Sequence, residues 1–79
     1  MKENSYEYKN LFLTIGLKVS YYRKLKGLSQ EELAEKINMS TTFVGMIEAP
    51  NLYKAPSLST LHNIAVVLEV PVYKLLQAD

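Results

Sequence analysis

Residues 29 to 48 run Ser29-Gln-Glu-Glu-Leu-Ala-Glu-Lys-Ile-Asn38-Met-Ser-Thr-Thr-Phe-Val-Gly-Met-Ile-Glu48. Their order predicts two short helices that cross over a turn of about three to four residues. Leu33, Ile37, Val44 and Ile47 recur at helical intervals on the inner faces, and Ala34 stands where a larger side chain would push the two helices apart. Asn38 marks the corner, because its short amide makes it the best non-glycine residue for a left-handed backbone. Ser29 followed by Glu32 fits a capping box, and Ser40 offers an N-cap hydroxyl to Thr41-Thr42-Phe43-Val44. Two capped helix starts therefore bracket one tight turn.

A chain of 79 residues has room for one domain and one modest core. It has no cysteine, which excludes disulfides and thiolate metal sites, and a single histidine does not make a zinc centre without carboxylate help. No apolar run approaches the roughly 18 to 20 residues of a membrane span. Met1-Lys2-Glu3-Asn4-Ser5 lacks the apolar core of a signal peptide, so a cytoplasmic protein is expected. Nine Lys and Arg against eight Asp and Glu give a net charge of +1. A nucleic-acid partner then requires basic groups gathered on one surface, for which Lys18, Arg23, Lys24, Lys26 and Lys54 are the candidates.

Along the chain, five helices are expected and no strands, repeats or low-complexity segments. Residues 1 to 9 read as an N-terminal tail or an extra helical turn, and residues 10 to 79 as the domain. Helix one runs from about Asn10 to Lys26, with Leu11, Ile15, Val19, Tyr22 and Leu25 as its apolar stripe and Gly27 as its stop. Helix two covers about Gln30 to Ile37, and helix three Thr41 to Glu48. Pro50 and Pro56 bound a loop. Helix four takes Leu58 to Leu68 and buries Leu58, Leu61, Ile64, Ala65 and Leu68. Pro71 opens a short fifth helix through Leu76, where its missing amide hydrogen costs nothing.

From Ile15 to Leu76 the chain resembles the helix-turn-helix proteins of the phage-repressor and Cro type, also called the xenobiotic-response-element family of bacterial regulators. The likeness is carried by Leu28-Ser29-Gln30-Glu31-Glu32-Leu33-Ala34, by Ile47-Glu48, and by Pro56-Ser57-Leu58-Ser59-Thr60-Leu61 with Ile64-Ala65 following. Several blocks in the right order are far more specific than one short motif. The resemblance implies an all-α, compact, five-helix, lambda-repressor-like domain whose helix three lies in the DNA major groove.

In that family the outward positions of helix three face the bases, which here are Ser40, Thr41, Thr42, Gly45 and Met46. None is Arg, Lys, Asn or Gln, so the bidentate pairings that read guanine and adenine edges are missing, leaving hydroxyls and methyl groups. Phosphate contacts are implied for Gln30, which opens helix two, and for Lys54 and Tyr53 in the loop after helix three, with Lys18 a further candidate. Family members commonly join the positions of Arg23 and Glu48 in a partly buried ion pair between helices one and three. The chain departs from the pattern at Met46, often basic in the family, and at Ala49-Pro50-Asn51, where a glycine commonly follows. Proline pushes Ala49 out of helical space, so the usual left-handed exit is not expected.

Two function classes follow. The leading one is a sequence-specific regulator of transcription that binds double-stranded DNA at a palindromic operator as a homodimer, needs no cofactor or metal and is not an enzyme. The dimer interface is expected at Val66, Val70 and Tyr73, because the C-terminal third carries more apolar residues than one short helix buries, and family members of this length commonly dimerise there. The alternative is a protein-interaction module of antirepressor or antitoxin kind. Glu31, Glu32 and Glu35 read as a solvated helix face, and His62 as a surface or packing residue.

Overall fold

The computed structural model describes residues 5–52 and 54–78, with side chains from Lys9 onward. It is all-helical over those residues: α1 (Ser5–Leu25), α2 (Gln30–Lys36), α3 (Thr41–Glu48), α4 (Leu58–Leu68) and α5 (Tyr73–Leu76). Residues 5–9 thus belong to α1 as its extra turn, and residues 1–4 lie outside the described part.

The helix starts follow the side chains that precede them. Ser29 accepts from the Glu32 N–H at 3.0 Å while Ser29 N–H donates to Glu32 Oε1 at 2.8 Å, which completes the capping box. Those hydrogen bonds, chiefly that from the Ser29 amide, hold the Glu32 carboxyl below the usual carboxylate range. Ser40 caps α3 by accepting from Phe43 N–H, and Ser57 caps α4 by accepting from Thr60 N–H.

Three helices end in one way. Gly27, Asn38 and Glu69 have φ of 74°, 60° and 60°, and each sits just past a helix as the left-handed residue of a Schellman turn. The paired hydrogen bonds are Leu28 N–H to Arg23 O with Gly27 N–H to Lys24 O, Met39 N–H to Ala34 O with Asn38 N–H to Glu35 O, and Val70 N–H to Ala65 O with Glu69 N–H to Val66 O. Glutamate is an unusual occupant of this conformation. Its carboxylate is paired with Lys26 across to α1's end, and that contact holds its pKa down. Helix α3 ends differently: Ala49 is extended at φ −73°, ψ 124°, as a residue before proline must be.

Every helix supplies one side chain with no exposed surface: Val19, Leu33, Val44, Ile64 and Leu75. Around them close Ile15, Ala34, Ile37, Ile47, Leu61, Ala65 and Leu68. Three expected core residues are corrected. Leu58 is 75% exposed at the first position of α4, and Leu11 and Leu25 are exposed toward the two ends of α1. The core residue at the C-terminal end is Leu75, and its neighbour Leu76 stays largely outside.

Helices α1 and α3 meet at a glycine. A Cβ built on Gly16 would lie 2.4 Å from the carbonyl oxygen of Ile47, far inside contact distance and against backbone that has no rotamer to change. Gly16 lets α3 approach α1 closely enough for the rest of the packing to form. Gly16→Ala is expected to destabilise the fold by about 1–3 kcal/mol through overpacking, less the roughly 0.5–1 kcal/mol by which alanine favours a helix interior over glycine. Urea denaturation checks this; an unchanged or raised midpoint would show that the two helices separate at no cost.

Candidate nucleic-acid interface

Successive residues of a helix are turned by about 100°, and this turn sorts α3 into two faces. Val44 and Ile47 point into the core and are buried, while Phe43 is half-buried against it. Thr41, Thr42 and Met46 are exposed on the other side, with Gly45 between them and partly accessible. Ser40 is exposed at the head of the helix, but its oxygen is engaged as the N-cap acceptor. The outward surface of α3 therefore consists of two hydroxyls, one thioether and a bare stretch of backbone at Gly45.

The orientation of this surface is set at the opposite end of the helix. Arg23 Nε donates to Glu48 Oε2 at 2.7 Å and Arg23 Nη2 to Glu48 Oε1 at 2.9 Å, a bidentate pair between α1 and α3. The two side chains are only 9% and 6% exposed. Hydrogen bonding to Glu48 raises the Arg23 pKa above its ordinary value, and burial opposes that shift. The third guanidinium nitrogen, Nη1, donates to the Leu28 carbonyl at 2.8 Å. Because Leu28 N–H also donates to the Arg23 carbonyl, the turn after α1 is fastened to the same residue from both sides.

Gln30 joins this network, a role that neither the spacing of residues nor the family resemblance indicated. Its Nε2 donates to Glu48 Oε1 at 2.9 Å. Arg23, Leu28, Gln30 and Glu48 thus tie together α1, the first turn, α2 and α3. The sequence signal available for Gln30 was a polar residue at a helix start, which says nothing of a partner 18 positions away.

The remaining basic candidates differ in their surroundings. Lys54 is exposed in the loop that follows α3, and Lys24 is exposed on the last turn of α1. Lys26 is paired with Glu69. Lys18 is set apart from α3: it follows Gly16 by two residues, which turns it about 200° around α1 from the contact with Ile47, and it lines a cavity with Thr14, Leu17, Tyr21 and Ala78. Of the five basic candidates, Arg23 is thus taken up by Glu48, Lys26 is paired with Glu69, and Lys24 and Lys54 are exposed. Tyr53 lies outside the described residues. Glu31, Glu32 and Glu35 are exposed and line an open cleft with Ser40 and Thr41. Among the described residues, no group of three His, Asp or Glu side chains is placed to hold a metal ion, and no helix is long and apolar enough to cross a membrane.

At the C-terminal end, Val66 and Tyr73 are exposed at 59% and 60%, whereas Val70 packs against the core, as do Val67 and Val72. The apolar surplus expected there is smaller than the sequence suggests. It is extended on α1 by Leu17 and Tyr21, each 55% exposed, beside Ala78.

Breaking the buried pair from one side strands a desolvated charge, at a cost of about 3–5 kcal/mol. A double-mutant cycle with Arg23→Met and Glu48→Gln is expected to give a coupling well above the roughly 0.5 kcal/mol scatter of independent sites. Additive losses in chemical denaturation would mean that the two side chains are stabilised separately by their other partners.

Comparisons with known proteins agree with the all-helical fold. Residues 19–75 match the helix-turn-helix family model. The HTH-type transcriptional regulator SinR of Bacillus subtilis (strain 168) is 42% identical over 62 residues, covering 78% of this chain and 55% of that protein. The immunity repressor protein of Bacillus phage phi105 is 38% identical over 60 residues, covering 76% of this chain and 40% of its own. The chain thus spans about half the length of the curated relatives it matches, or less. A crystal structure of SinR, the master regulator for biofilm formation, in complex with DNA superposes with a TM-score of 0.73 at 41% identity, covering 80% of this chain and 98% of that one.

Proposed function

Because the chain belongs to the helix-turn-helix family, we propose that it is the DNA-binding domain of a transcriptional regulator, with α3 entering the major groove of double-stranded DNA. The observation that carries this reading is α3 itself. Thr41, Thr42 and Met46 are exposed on a helix whose other face is locked into the core and whose end is fixed by Arg23 and Gln30. The match to a relative solved on DNA supports the same reading.

The chemistry of that face sets how DNA would be read. Threonine hydroxyls offer single hydrogen bonds, and the threonine and methionine methyl groups suit the thymine methyl in the major groove. Sequence preference is then modest and leans on apolar contacts, while Lys54 and neighbouring backbone amides grip phosphate. Pro50 has no amide hydrogen to give. A DNA partner goes with a cytoplasmic location and calls for no cofactor.

Selection of binding sites from random duplexes, followed by salt titration, tests the reading. One enriched site is expected, with affinity that falls steeply as salt is added. Lys54→Ala should weaken binding to all sequences alike, whereas Thr42→Ala should change the preference at one or two base pairs by about 1–3 kcal/mol or less. No enriched site, or salt-insensitive binding, would favour the second reading, a protein-interaction module. The specific observation behind that reading is the row of Glu31, Glu32 and Glu35 beside Ser40 and Thr41, where carboxylates disfavour an approaching polyanion.

The regulator is proposed to act as a two-fold dimer on a palindromic operator, with two copies of α3 about one DNA turn, ~34 Å, apart. Val66, Tyr73 and Leu76, with Leu17 and Tyr21, supply the exposed apolar surface for it. Sedimentation at micromolar concentration should show a dimer, free or on DNA. A strict monomer in both states, protecting a single half-site, would rule it out.

A further inference from the structure

We propose that Gln30 is a positioning residue for base discrimination: by holding Glu48, it sets what the C-terminal half of α3 presents to DNA. The inference rests on the DNA-binding reading above and adds to it a residue that reads no base itself. Glu48 receives three hydrogen bonds, two from Arg23 on α1 and one from Gln30 on α2. A carboxylate has about four lone-pair sites, so the third donor is accommodated without displacing the first two. Arg23 fixes the end of α3 against α1, and Gln30 fixes it from α2. With Gln30 in place the end of α3 is held from two helices. Without it α3 keeps its contacts with α1 and its buried Ile47 but loses the side-chain hydrogen bond to α2, which permits a small shift of its last turn.

Gln30 also bears on the middle of α3. Its Oε1 lies over Gly45, where a built Cβ would stand 3.6 Å from it, the separation of ordinary van der Waals contact. The amide therefore lies along α3 from Gly45 to Glu48, on the turn that carries Met46. Thr41 is seven residues before Glu48, or ~10 Å along the axis. That end of the helix is pinned separately by the Ser40 cap and by buried Val44. Loss of the Gln30 contact is thus felt at Met46 and much less at Thr41 and Thr42. Gln30 is uncharged, so it neutralises no phosphate and contributes nothing to counterion release. A change in its contribution is separable from that of a lysine.

The test is site selection and competition binding with the wild-type chain, Gln30→Met, Gln30→Lys and Met46→Ala. Met46→Ala identifies the base pair that Met46 faces. Gln30→Met keeps the length but donates no hydrogen bond, and because Gln30 is partly exposed at a helix start the variant is expected to fold, which circular dichroism checks. Gln30→Met is expected to lower discrimination at that same base pair by about 3- to 10-fold, a substantial part of what one mismatch is worth, with the salt slope and the preference set by Thr42 unchanged. Gln30→Lys, whose ammonium can again donate to Glu48, is expected to restore the discrimination. A uniform loss across all sequences would reduce Gln30 to a backbone contact and overturn the inference alone, as would no change or failure of Gln30→Lys to rescue. A wild-type chain that selects no duplex would overturn the DNA-binding reading, and the inference with it.

Discussion

The bidentate contact between Arg23 and Glu48 is the interaction on which the placement of everything else depends. It lies on the same face of α1 as Gly16, seven residues or about two helical turns further along, so the close approach and the ion pair are two ends of one seam. At the Gly16 end the constraint is steric, a backbone carbonyl with no room for a methyl group. At the Arg23 end it is electrostatic, a charge pair almost out of water. A desolvated pair is weak evidence for stability as such, since apolar side chains of equal volume often serve as well. What it supplies here is direction, because the planar guanidinium meets both carboxylate oxygens in one geometry only.

Among the described residues the charge that is turned inward is Arg23, while the pair of Lys26 with Glu69 lies at the surface. Arg23 is consumed by Glu48 and Leu28, and Lys26 by Glu69, so cations that looked available in the sequence are engaged within the domain. The net charge of +1 comes from nearly equal numbers of basic and acidic residues, and on the proposed reading it leaves recognition to the shape of α3 and to a few contacts around it. On the proposed reading such a face would discriminate by fit of methyl groups and hydroxyls, and the exact tilt of an eight-residue helix would then matter more than for a helix bearing long arginines.

What the sequence makes legible is whatever acts over three or four residues. Ser29 with Glu32, Ser40, and Asn38 at the corner each work on backbone groups one turn away, and the bounds of α2 and the start of α3 follow from them. Relations across the fold are another matter. Glycine inside a helix reads as a weakness, and only the packed structure gives Gly16 its reason. Glu69 carries no turn signature, yet it adopts the left-handed conformation at the end of α4. In the four residues of α5 there is too little length for a period, so Leu75 and Leu76 cannot be told apart by pattern. The hydrogen bond from Gln30 to Glu48 is equally silent in the sequence, whereas the pairing of Arg23 with Glu48 is suggested only by resemblance.

Three helix ends are finished by backbone turns at Gly27, Asn38 and Glu69, and the end of α3 is finished by a side chain. A backbone turn commits the residues that follow, since their own amides close it. A side-chain anchor makes no such demand. After Ala49 the chain turns back at once, with Leu52 N–H donating to the Ala49 carbonyl at 3.4 Å, so the turn that follows α3 closes one residue beyond the helix. The bearing of α3 is thus carried by Glu48 and its partners on α1 and α2, and the chain beyond Ala49 is set by a turn of its own.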